Sequence, residues 1–397
     1  MTEKNTLLKN ATLYTESGVI ENGYIKLVDH HISDVGSMEN LTAEDDFNTF
    51  NLPDDYKIIP GMIDVHIHGV NGADTMDATP EALKTMAKTL PREGTTSFLA
   101  TTMTQNRDAI EKALLNAGKF ITDEQEPGYA EIIGIHLEGP FINKERAGAQ
   151  PIEHITDPNL ELFKKWQTIA QHTIKLVTLA PEQPGATELI QHLKTHNVIA
   201  SIGHSDATFE QVELAIQEGL SHVTHLYNQM RGLHHREPGV VGAALLKEEL
   251  MVEIISDGIH SRPEAVQLAF QAKKADRLVL ITDAMRAKCL KSGTYDLGGQ
   301  KVTVEDDRAF LEDGTLAGSV LTMDQAFKNM IEFSGCSIPE AIAMSSTNPA
   351  KELGLCNKKG SIAIGKDADV VVLDEENKVA MTFCKGYLAF QKGDEKE

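Results

Sequence analysis

Eight short apolar runs alternate with helix-like segments through the middle of the chain. The runs are typical of β-strands, and several of them end at a histidine or a carboxylate. In the segment 208–219, apolar residues recur at helical spacing before Gly219, which predicts a helix that stops at this glycine. The eight runs are IIPGMIDVH, TTSFLATT, EIIGIHLEG, HTIKLVTLAP, NVIASIGH, SHVTHLYN, MVEIISDG and RLVLITDA.

This alternation predicts an α/β fold. Eight strand-and-helix units in about 300 residues are typical of a (β/α)8 TIM-like barrel. A doubly wound parallel sheet could alternate in the same way. The barrel is favoured because polar residues collect at the ends of the runs, where barrel enzymes place their chemistry.

The two ends of the chain have β-rich patterns instead. Near the start, ATLYT and GVIENGYIKLVD predict a hairpin, with Asn22 and Gly23 as its turn signal. Near the end, a β-branched run at 370–372 precedes a polar turn and a second strand. We therefore expect a small β-sandwich domain built from residues 1–58 and 360–397, with the barrel at 59–359 inserted between its halves.

Composition excludes several classes of function. Lys and Arg number 37 against 59 Asp and Glu, a net charge of −22 without any basic run, so nucleic-acid binding is not expected. No apolar stretch approaches the ~18 residues that span a bilayer, and the first residues lack the apolar core of a secretory signal. The four cysteines have no paired spacing, which predicts free thiols. We expect a soluble, cytoplasmic protein.

The first run ends in His66-Ile67-His68, a pattern that suits metal binding. On a strand, residues i and i+2 point to the same face, so the two imidazoles can share one cation. Two surface histidines at a chance spacing are the alternative. The metal interpretation becomes stronger when the other strand ends are considered.

Three further strand ends carry potential ligands. Glu138 ends the third run, where an unpaired buried carboxylate would be costly. A metal ion would offset that cost, and an ion pair with Lys or Arg is the alternative. Together with His204 and His225 at the fifth and sixth strand ends, Glu138 matches a three-ligand site with an open position for water. We interpret His136 as a core histidine and His222 as structural.

The last two runs end in acidic residues. The seventh leads through Asp257 to His260, and the eighth ends at Asp283. Asp283 could be a metal ligand, a general base, or both. An N-cap of the next helix is the alternative.

These residues belong to nine longer stretches, which are distributed along most of the chain: PGMIDVHIHG (60–69), GIHLEGPFI (134–142), IGHSDAT (202–208), THLYNQM (224–230), REPGVVG (236–242), SDGIH (256–260), LITDAM (280–285), LAGS (316–319) and STNPAKELGL (346–355). In kind and order they resemble the metal-dependent amidohydrolase superfamily. Within it, they resemble the branch that deacetylates N-acetylglucosamine 6-phosphate.

The resemblance implies hydrolysis of the acetamide to glucosamine 6-phosphate and acetate by a homodimer. It implies that Glu138, His204 and His225 hold the primary metal. It further implies that Asp283 takes a proton from the attacking water and returns it to the leaving amine. Arg236 and His260 would contact the phosphate, one of them often from a partner subunit. The sugar would be contacted by Asn228, Gln229, Leu316, Ala317 and Gly318.

Two regions of the site vary among the proteins that the chain resembles. Because His66 and His68 are both present, the chain resembles the two-metal branch, with Glu138 as the bridging ligand. We expect one or two divalent cations, and Zn, Fe, Mn and Co all accept such ligands. Ala149 and Gln150 lie where other members carry a substrate-contacting histidine. Gln150 can hydrogen-bond a carbonyl or hydroxyl but cannot carry charge.

Two other functions compete with the deacetylase interpretation. Another amidohydrolase reaction, such as cyclic-amide hydrolysis or deamination, would use the same fold. The cyclic-amide enzymes commonly bridge two metals with a carboxylated lysine, whereas the third run here ends in Glu138. A scaffold without catalytic activity would be expected to lose ligands, and every expected ligand is present.

Overall fold

The computed structural model describes residues 5–42 and 46–393. The strands are β1 (Thr6–Thr15), β2 (Gly18–Val28), β3 (His31–Ser37), β4 (Asn48–Asn51), β5 (Lys57–Pro60), β6 (Met62–Ile67), β7 (Gly69–Val70), β8 (Ala73–Asp74), β9 (Thr95–Thr101), β10 (Glu131–Glu138), β11 (Ile174–Leu179), β12 (Ile199–Ile202), β13 (His222–Val223), β14 (Met251–Ile255), β15 (Leu278–Ile281), β16 (Gly293–Leu297), β17 (Gln300–Glu305), β18 (Arg308–Phe310), β19 (Val370–Leu373), β20 (Val379–Cys384) and β21 (Tyr387–Gln391).

The α-helices are α1 (Pro80–Thr89), α2 (Arg107–Lys119), α3 (Leu160–Ile169), α4 (Ala186–Thr195), α5 (Phe209–Glu218), α6 (Gly239–Leu246), α7 (Pro263–Lys273), α8 (Met323–Ser334), α9 (Ile338–Ile342) and α10 (Asn348–Glu352). Within residues 5–42 and 46–393, no helix is long and apolar enough to span a membrane. All four cysteines are free.

The predicted barrel is confirmed. Eight parallel strands follow one another in the order β6, β9, β10, β11, β12, β13, β14, β15, and each coincides with one of the eight predicted runs, β6 extending one residue beyond its run. Their residues are almost all buried, because strands covered on both faces read as continuous apolar runs. Backbone bonds from Asp283 N to His66 O (2.8 Å) and from His68 N to Ala284 O (2.9 Å) close the barrel between its first and last strands.

Helix α5 begins and ends where its sequence predicts. The Thr208 side chain accepts from Gln211 N, and the Gln211 side chain accepts in return from Thr208 N, which forms a capping box. Gly219 follows the last helical residue with φ 130°. This conformation suits glycine because it has no Cβ, so Gly219 ends the helix.

Strands from both chain ends form a second, eight-stranded sheet, which fits the predicted small β-sandwich. Its order is β21, β20, β19, β5, β1, β2, β3, with β4 also paired to β1. The hairpin near the start exists, but its predicted turn is wrong. Asn22 and Gly23 lie inside β2, and the chain turns at Glu16 and Ser17 instead. A register shift between β1 and β2 falls opposite this dipeptide, so it marks a β-bulge.

An antiparallel sheet of β16, β17 and β18 follows the last barrel strand and was not predicted. It packs over the mouth of the barrel. Gln105 Nε2 donates to Gly298 O (3.0 Å), and Gln300 Nε2 donates to Ala149 O (2.5 Å). The sheet therefore shapes the entrance to the C-terminal face of the barrel.

Candidate metal centre and active site

Side chains from five barrel strands converge at the C-terminal mouth. His66 lies near the end of β6 and His68 directly after it, while Glu138 is the last residue of β10. The other three follow their strands by two residues each: His204 after β12, His225 after β13 and Asp283 after β15. The barrel brings together residues that are more than 200 positions apart in the sequence, because successive parallel strands end at one face.

The residues beyond the strand ends have an unusual backbone conformation. His204 has φ 50°, His225 φ 31° and Asp283 φ 48°. Non-glycine residues adopt positive φ rarely, and such strain is concentrated at functional sites. At all three positions the chain leaves its strand in a left-handed turn, and the side chain faces the others across the mouth.

The position of Glu138 also depends on a close contact between the backbone after β10 and the loop after β9. Gly139 follows it with φ 71° and a cis peptide bond to Pro140. A Cβ on Gly139 would lie 2.0 Å from Thr104 Oγ1, so only glycine fits between the end of β10 and the loop after β9. This glycine is therefore part of what holds Glu138 at the strand end.

One carboxylate oxygen of Glu138 faces two imidazoles. Glu138 Oε1 lies 3.2 Å from His204 Nε2 and 3.2 Å from His225 Nε2, and the two nitrogens are 3.1 Å apart. The three side chains are buried. Their ligand atoms meet the spacing of a cation site.

A second group of potential ligands adjoins the first. The Nε2 atoms of His66 and His68 each lie 3.3 Å from Asp283 Oδ1. Glu138 is shared between the groups, because its Oε1 is 3.5 Å from His66 Nε2 and its Oε2 is 3.2 Å from His68 Nε2. The geometry can accommodate two cations with one carboxylate between them.

Hydrogen bonds at the imidazole nitrogens that face away from the carboxylates indicate whether a cation fits between the rings. His204 Nδ1 lies 2.8 Å from Arg146 O, and a carbonyl can only accept, so Nδ1 carries the proton and Nε2 offers a lone pair. His66 Nδ1 is held in the same way by Glu253 (3.0 Å). His66 Nε2 has no hydrogen-bond partner among the described residues. Two outer bonds therefore orient lone pairs toward the carboxylates, as ligands of a divalent metal require.

The pKa values show the charge imbalance of this pocket. Burial lowers the pKa of His68, but the carboxylates of Asp283 and Glu138 outweigh that effect and raise it to about 10. Burial raises the pKa of Glu138, yet His66 and the other imidazoles hold it well below its usual range. Among the described residues, the ion-pair partners of Glu138 within 4 Å are histidines. The carboxylates thus require positive charge that no Lys or Arg in this set provides.

His136 behaves as a core histidine. Its Nε2 lies 2.7 Å from Thr178 Oγ1, and its ring packs edge-on against His66 at 4.5 Å between centroids. Burial, assisted by His66, lowers its pKa to about 3, so the ring is neutral. Its packing helps to hold the ring of His66 in place.

A cavity that is open to solvent lies above the two ligand groups. Of the predicted substrate contacts, Ala149, Gln150, Asn228, Gln229, His260, Leu316 and Gly318 line it. Ala317 does not, because its side chain is buried in the cluster beneath the β16–β18 sheet. Arg236 is exposed and also lies outside the lining.

Both ends of the Gln150 amide have partners within the protein. Its Oε1 accepts from Thr104 N (2.8 Å), and its Nε2 donates to Glu138 Oε2 (2.9 Å). The backbone N–H of Thr104 fixes which end is the oxygen, since it can only donate. Gln150 therefore holds a carboxylate oxygen of Glu138 in addition to facing the cavity.

His260 lines the cavity and pairs with a carboxylate. Its Nδ1 lies 2.6 Å from Asp257 Oδ2. Burial lowers the pKa of His260, but the Asp257 carboxylate raises it by more. Asp257 occupies Nδ1, so Nε2 of the ring is left for an anion in the cavity.

Several residues of the site were missed from the sequence. Met103 and Leu297 line the cavity, and no pattern indicated either. Glu253 was overlooked although it is a carboxylate inside the apolar run MVEII, the same signal that identified Glu138. His222, which was interpreted as structural, lies between the carboxylates of Glu253 and Glu352.

Comparison with known proteins agrees with this geometry. Residues 58–389 match the model of the amidohydrolase family. The chain therefore belongs to the amidohydrolase family.

Among its relatives, the N-acetylglucosamine-6-phosphate deacetylase of Bacillus subtilis (strain 168) is 49% identical over 388 residues, which are 98% of each chain. A crystal structure of the Thermotoga maritima enzyme of that name has a TM-score of 0.86 at 37% identity, and the match covers 98% of this chain and 100% of that one. A mutant of the Mycobacterium smegmatis enzyme in complex with N-acetyl-D-glucosamine-6-phosphate has a TM-score of 0.90 at 29% identity, with the same coverage.

Proposed function

We propose that this chain hydrolyses the acetamide of N-acetylglucosamine 6-phosphate to glucosamine 6-phosphate and acetate. The observation that carries the proposal is the shared position of Glu138 between two groups of potential ligands, with Asp283 beside them at the floor of the cavity. Similarity to relatives of that activity over almost the full chain supports the same reaction. The reaction places the chain in the breakdown or recycling of amino sugars.

The residues at the mouth fit one or two divalent cations. Glu138, His204 and His225 would hold one cation. His66, His68 and Asp283 would hold the other, with Glu138 between the two. Such a cation supplies Lewis acidity, which activates a water molecule and polarises the amide carbonyl. The donor set of imidazole and carboxylate suits Zn, Fe, Mn or Co.

Asp283 is the general base in this proposal. Burial raises the pKa of its carboxyl, but the neighbouring His66 and His68 lower it by more, so the group is deprotonated and able to accept a proton. Its side chain is the most exposed of the six, 13%, and faces the cavity. Asp283 takes the proton of the attacking water and then delivers it to the nitrogen, because an amide anion is too poor a leaving group.

The phosphate is assigned to His260 and Arg236. His260 lines the cavity and is paired with Asp257, so it can donate to an anion. Arg236 is exposed, and neither Lys nor Arg occurs in the cavity lining of the described chain. We propose that the protein forms a homodimer in which the partner subunit's Arg236 completes the phosphate site.

The net charge of −22 does not oppose an anionic substrate. The Debye length is only about 8 Å at physiological ionic strength, so distant surface charges are largely screened. Local groups at the cavity determine the sign of the field that the substrate meets. We expect the protein to work in the cytoplasm, as an acidic enzyme with no membrane or nucleic-acid partner.

Acetate release tests the reaction. The metal-loaded protein is assayed with N-acetylglucosamine 6-phosphate, with the unphosphorylated sugar and with the sugar phosphate that is epimeric at C4. We expect rapid acetate release from the first substrate and little from the unphosphorylated sugar. A strong preference for the unphosphorylated sugar would contradict the phosphate roles of His260 and Arg236. Absence of both bound metal and acetate would favour a non-catalytic scaffold.

Subunit mixing tests the homodimer. Arg236→Ala and Asp283→Asn variants, each expected to have strongly reduced activity, are mixed under conditions of subunit exchange. If Arg236 acts across the interface, a mixed dimer contains one complete site, and about a quarter of all sites become active at random 1:1 exchange. No recovery of activity in exchanged dimers, or a monomeric protein in solution, would contradict the assignment.

A further inference from the structure

We propose that Glu253 is a positioning residue for the metal centre: its carboxylate fixes the ring of His66 and the strained backbone of His225 at once. The inference rests on the proposed function, because it concerns residues assigned to the metal. Glu253 lies within β14, the seventh barrel strand, and its side chain is completely buried. The proposed reaction does not otherwise use it.

A single oxygen of Glu253 serves two strands. Oε2 lies 3.0 Å from His66 Nδ1 and accepts from His225 N at 3.0 Å. The bond to His66 keeps the proton on Nδ1 and the lone pair on Nε2, which faces Glu138 and Asp283. A carboxylate behind an imidazole also makes that imidazole a better metal ligand.

The bond to His225 acts on the backbone instead. His225 has φ 31°, outside the conformations that most residues adopt. Its N–H is directed at Glu253 Oε2, so the carboxylate stabilises the turn that carries the imidazole toward His204. One side chain thus couples a ligand of each proposed cation, and both ligands should respond to its removal.

The other oxygen anchors Glu253 itself. Oε1 lies 3.2 Å from His222 Nε2, and His222 Nδ1 lies 3.0 Å from Glu352 Oε2 at the end of α10. His222 is completely buried between the two carboxylates. This chain of side chains runs from the metal centre to the edge of the barrel and prevents Glu253 from rotating.

Metal binding by Glu253 variants tests the proposal independently of activity. Metal-free Glu253→Leu, Glu253→Gln and wild-type proteins are titrated with Co²⁺ against a competing chelator, and their Co²⁺ absorption spectra are compared. Leucine is similar in size but accepts no hydrogen bond. We expect Glu253→Leu to weaken Co²⁺ binding by about 10–100-fold, the usual effect of losing such a partner, and to change the spectrum.

Glu253→Gln provides a second variant if Glu253→Leu does not fold. Three N–H groups, from His66, His222 and His225, point at the carboxylate, and an amide offers them one acceptor oxygen. We expect weaker Co²⁺ binding and a shifted spectrum, with a smaller loss of affinity than in Glu253→Leu. Wild-type affinity and spectrum in the variants that fold would overturn the proposal.

Glu93→Gln is the matched control. Glu93 is also a buried glutamate, but it pairs with Lys288 at 2.7 Å and contacts none of the proposed ligands. We expect this variant to lose stability while the Co²⁺ spectrum and affinity stay unchanged. An equal change in affinity in Glu93→Gln would show that Glu253 acts only through stability. Failure of the wild-type protein to release acetate would instead contradict the proposed function.

Discussion

The two ends of β10 hold carboxylates in opposite electrostatic environments, buried at Glu138 and half-buried at Glu131. Glu138, at the C-terminal end, faces imidazole nitrogens at 3.2–3.5 Å. Glu131, at the N-terminal end, lies 2.8 Å from Lys359 Nζ and 2.9 Å from Lys385 Nζ. Both carboxylates lie on one strand, but only Glu131 has lysine cations of the protein beside it.

The N-terminal cluster joins the barrel to the sheet formed by the chain ends. Lys359 also pairs with Asp367 at 3.1 Å and Asp369 at 2.5 Å, and its side chain is only 5% exposed. These carboxylates outweigh the effect of burial and raise the pKa of Lys359. The charges of the cluster are paired within the protein, and the cluster connects the barrel to the sheet.

The difference separates structure from chemistry within one fold. In the N-terminal cluster, the carboxylates pair with lysine side chains of the protein itself. In the C-terminal cluster, oriented lone pairs remain that can bind a cation from solution. This division follows the general rule that barrel enzymes use the C-terminal face for catalysis and the N-terminal face for stability. Four predictions test it.

The largest effect is expected from a matched pair of aspartate substitutions. Asp283→Asn should lower kcat for acetate release by about 10²–10⁴-fold, because the amide cannot take a proton from water. The cation held by Glu138, His204 and His225 and the thermal stability should remain close to wild type. Asp369→Asn makes the same change in the Lys359 cluster and should leave kcat unchanged while lowering stability. A nearly active Asp283→Asn variant would refute the assigned role.

Next in size is the loss of the buried cation. Lys359→Met should destabilise the protein by about 3–5 kcal/mol, because it leaves several carboxylates buried without their partner. Urea denaturation measures this loss, and metal content and kcat of the folded fraction should not change. Reduced metal binding at unchanged stability would contradict the separation of the two ends.

A smaller effect is expected at Gln150. Gln150→Met removes the donor to Glu138 Oε2 and the acceptor for Thr104 N. A hydrogen bond to a charged group contributes about 1.5–3 kcal/mol, so metal affinity or kcat/KM should fall by about 10–100-fold. Gln150→His should recover part of the loss, since imidazole can donate to the same oxygen. Wild-type metal affinity and kcat/KM in Gln150→Met would show that Glu138 needs no such support.

The smallest effect is a pH dependence of the N-terminal cluster. Burial raises the pKa of Glu131, but Lys359 and Lys385 lower it by more, below its ordinary value of 4.5. The unfolded chain therefore binds the proton first, and the stabilisation is complete above about pH 4.5 and is lost as the pH falls below it. The stability gap between wild type and Lys359→Met should narrow in acid. A gap that widens there would contradict the assigned charges.

Much of the site could be predicted because it consists of strand ends. His66, His68 and Glu138 terminate apolar runs, and the barrel order alone brings such ends together. Glu253 carried the same signal but was missed because it lies within its run. Met103 and Leu297 gave no signal, since an apolar residue that lines a cavity has the same sequence pattern as one in the core.

The sequence by itself determined the alternation of strands and helices and the β domain from both chain ends, and the polar residues at the ends of the runs favoured the barrel over a doubly wound sheet. It also determined the ligand types, because imidazole and carboxylate at strand ends are costly to bury without a cation. Only the tertiary structure decided which nitrogen of each imidazole faces the cavity, that Gln150 supports Glu138, and that Glu253 links two strands. These relations depend on contacts of a few ångströms between distant residues, and local sequence patterns do not encode them.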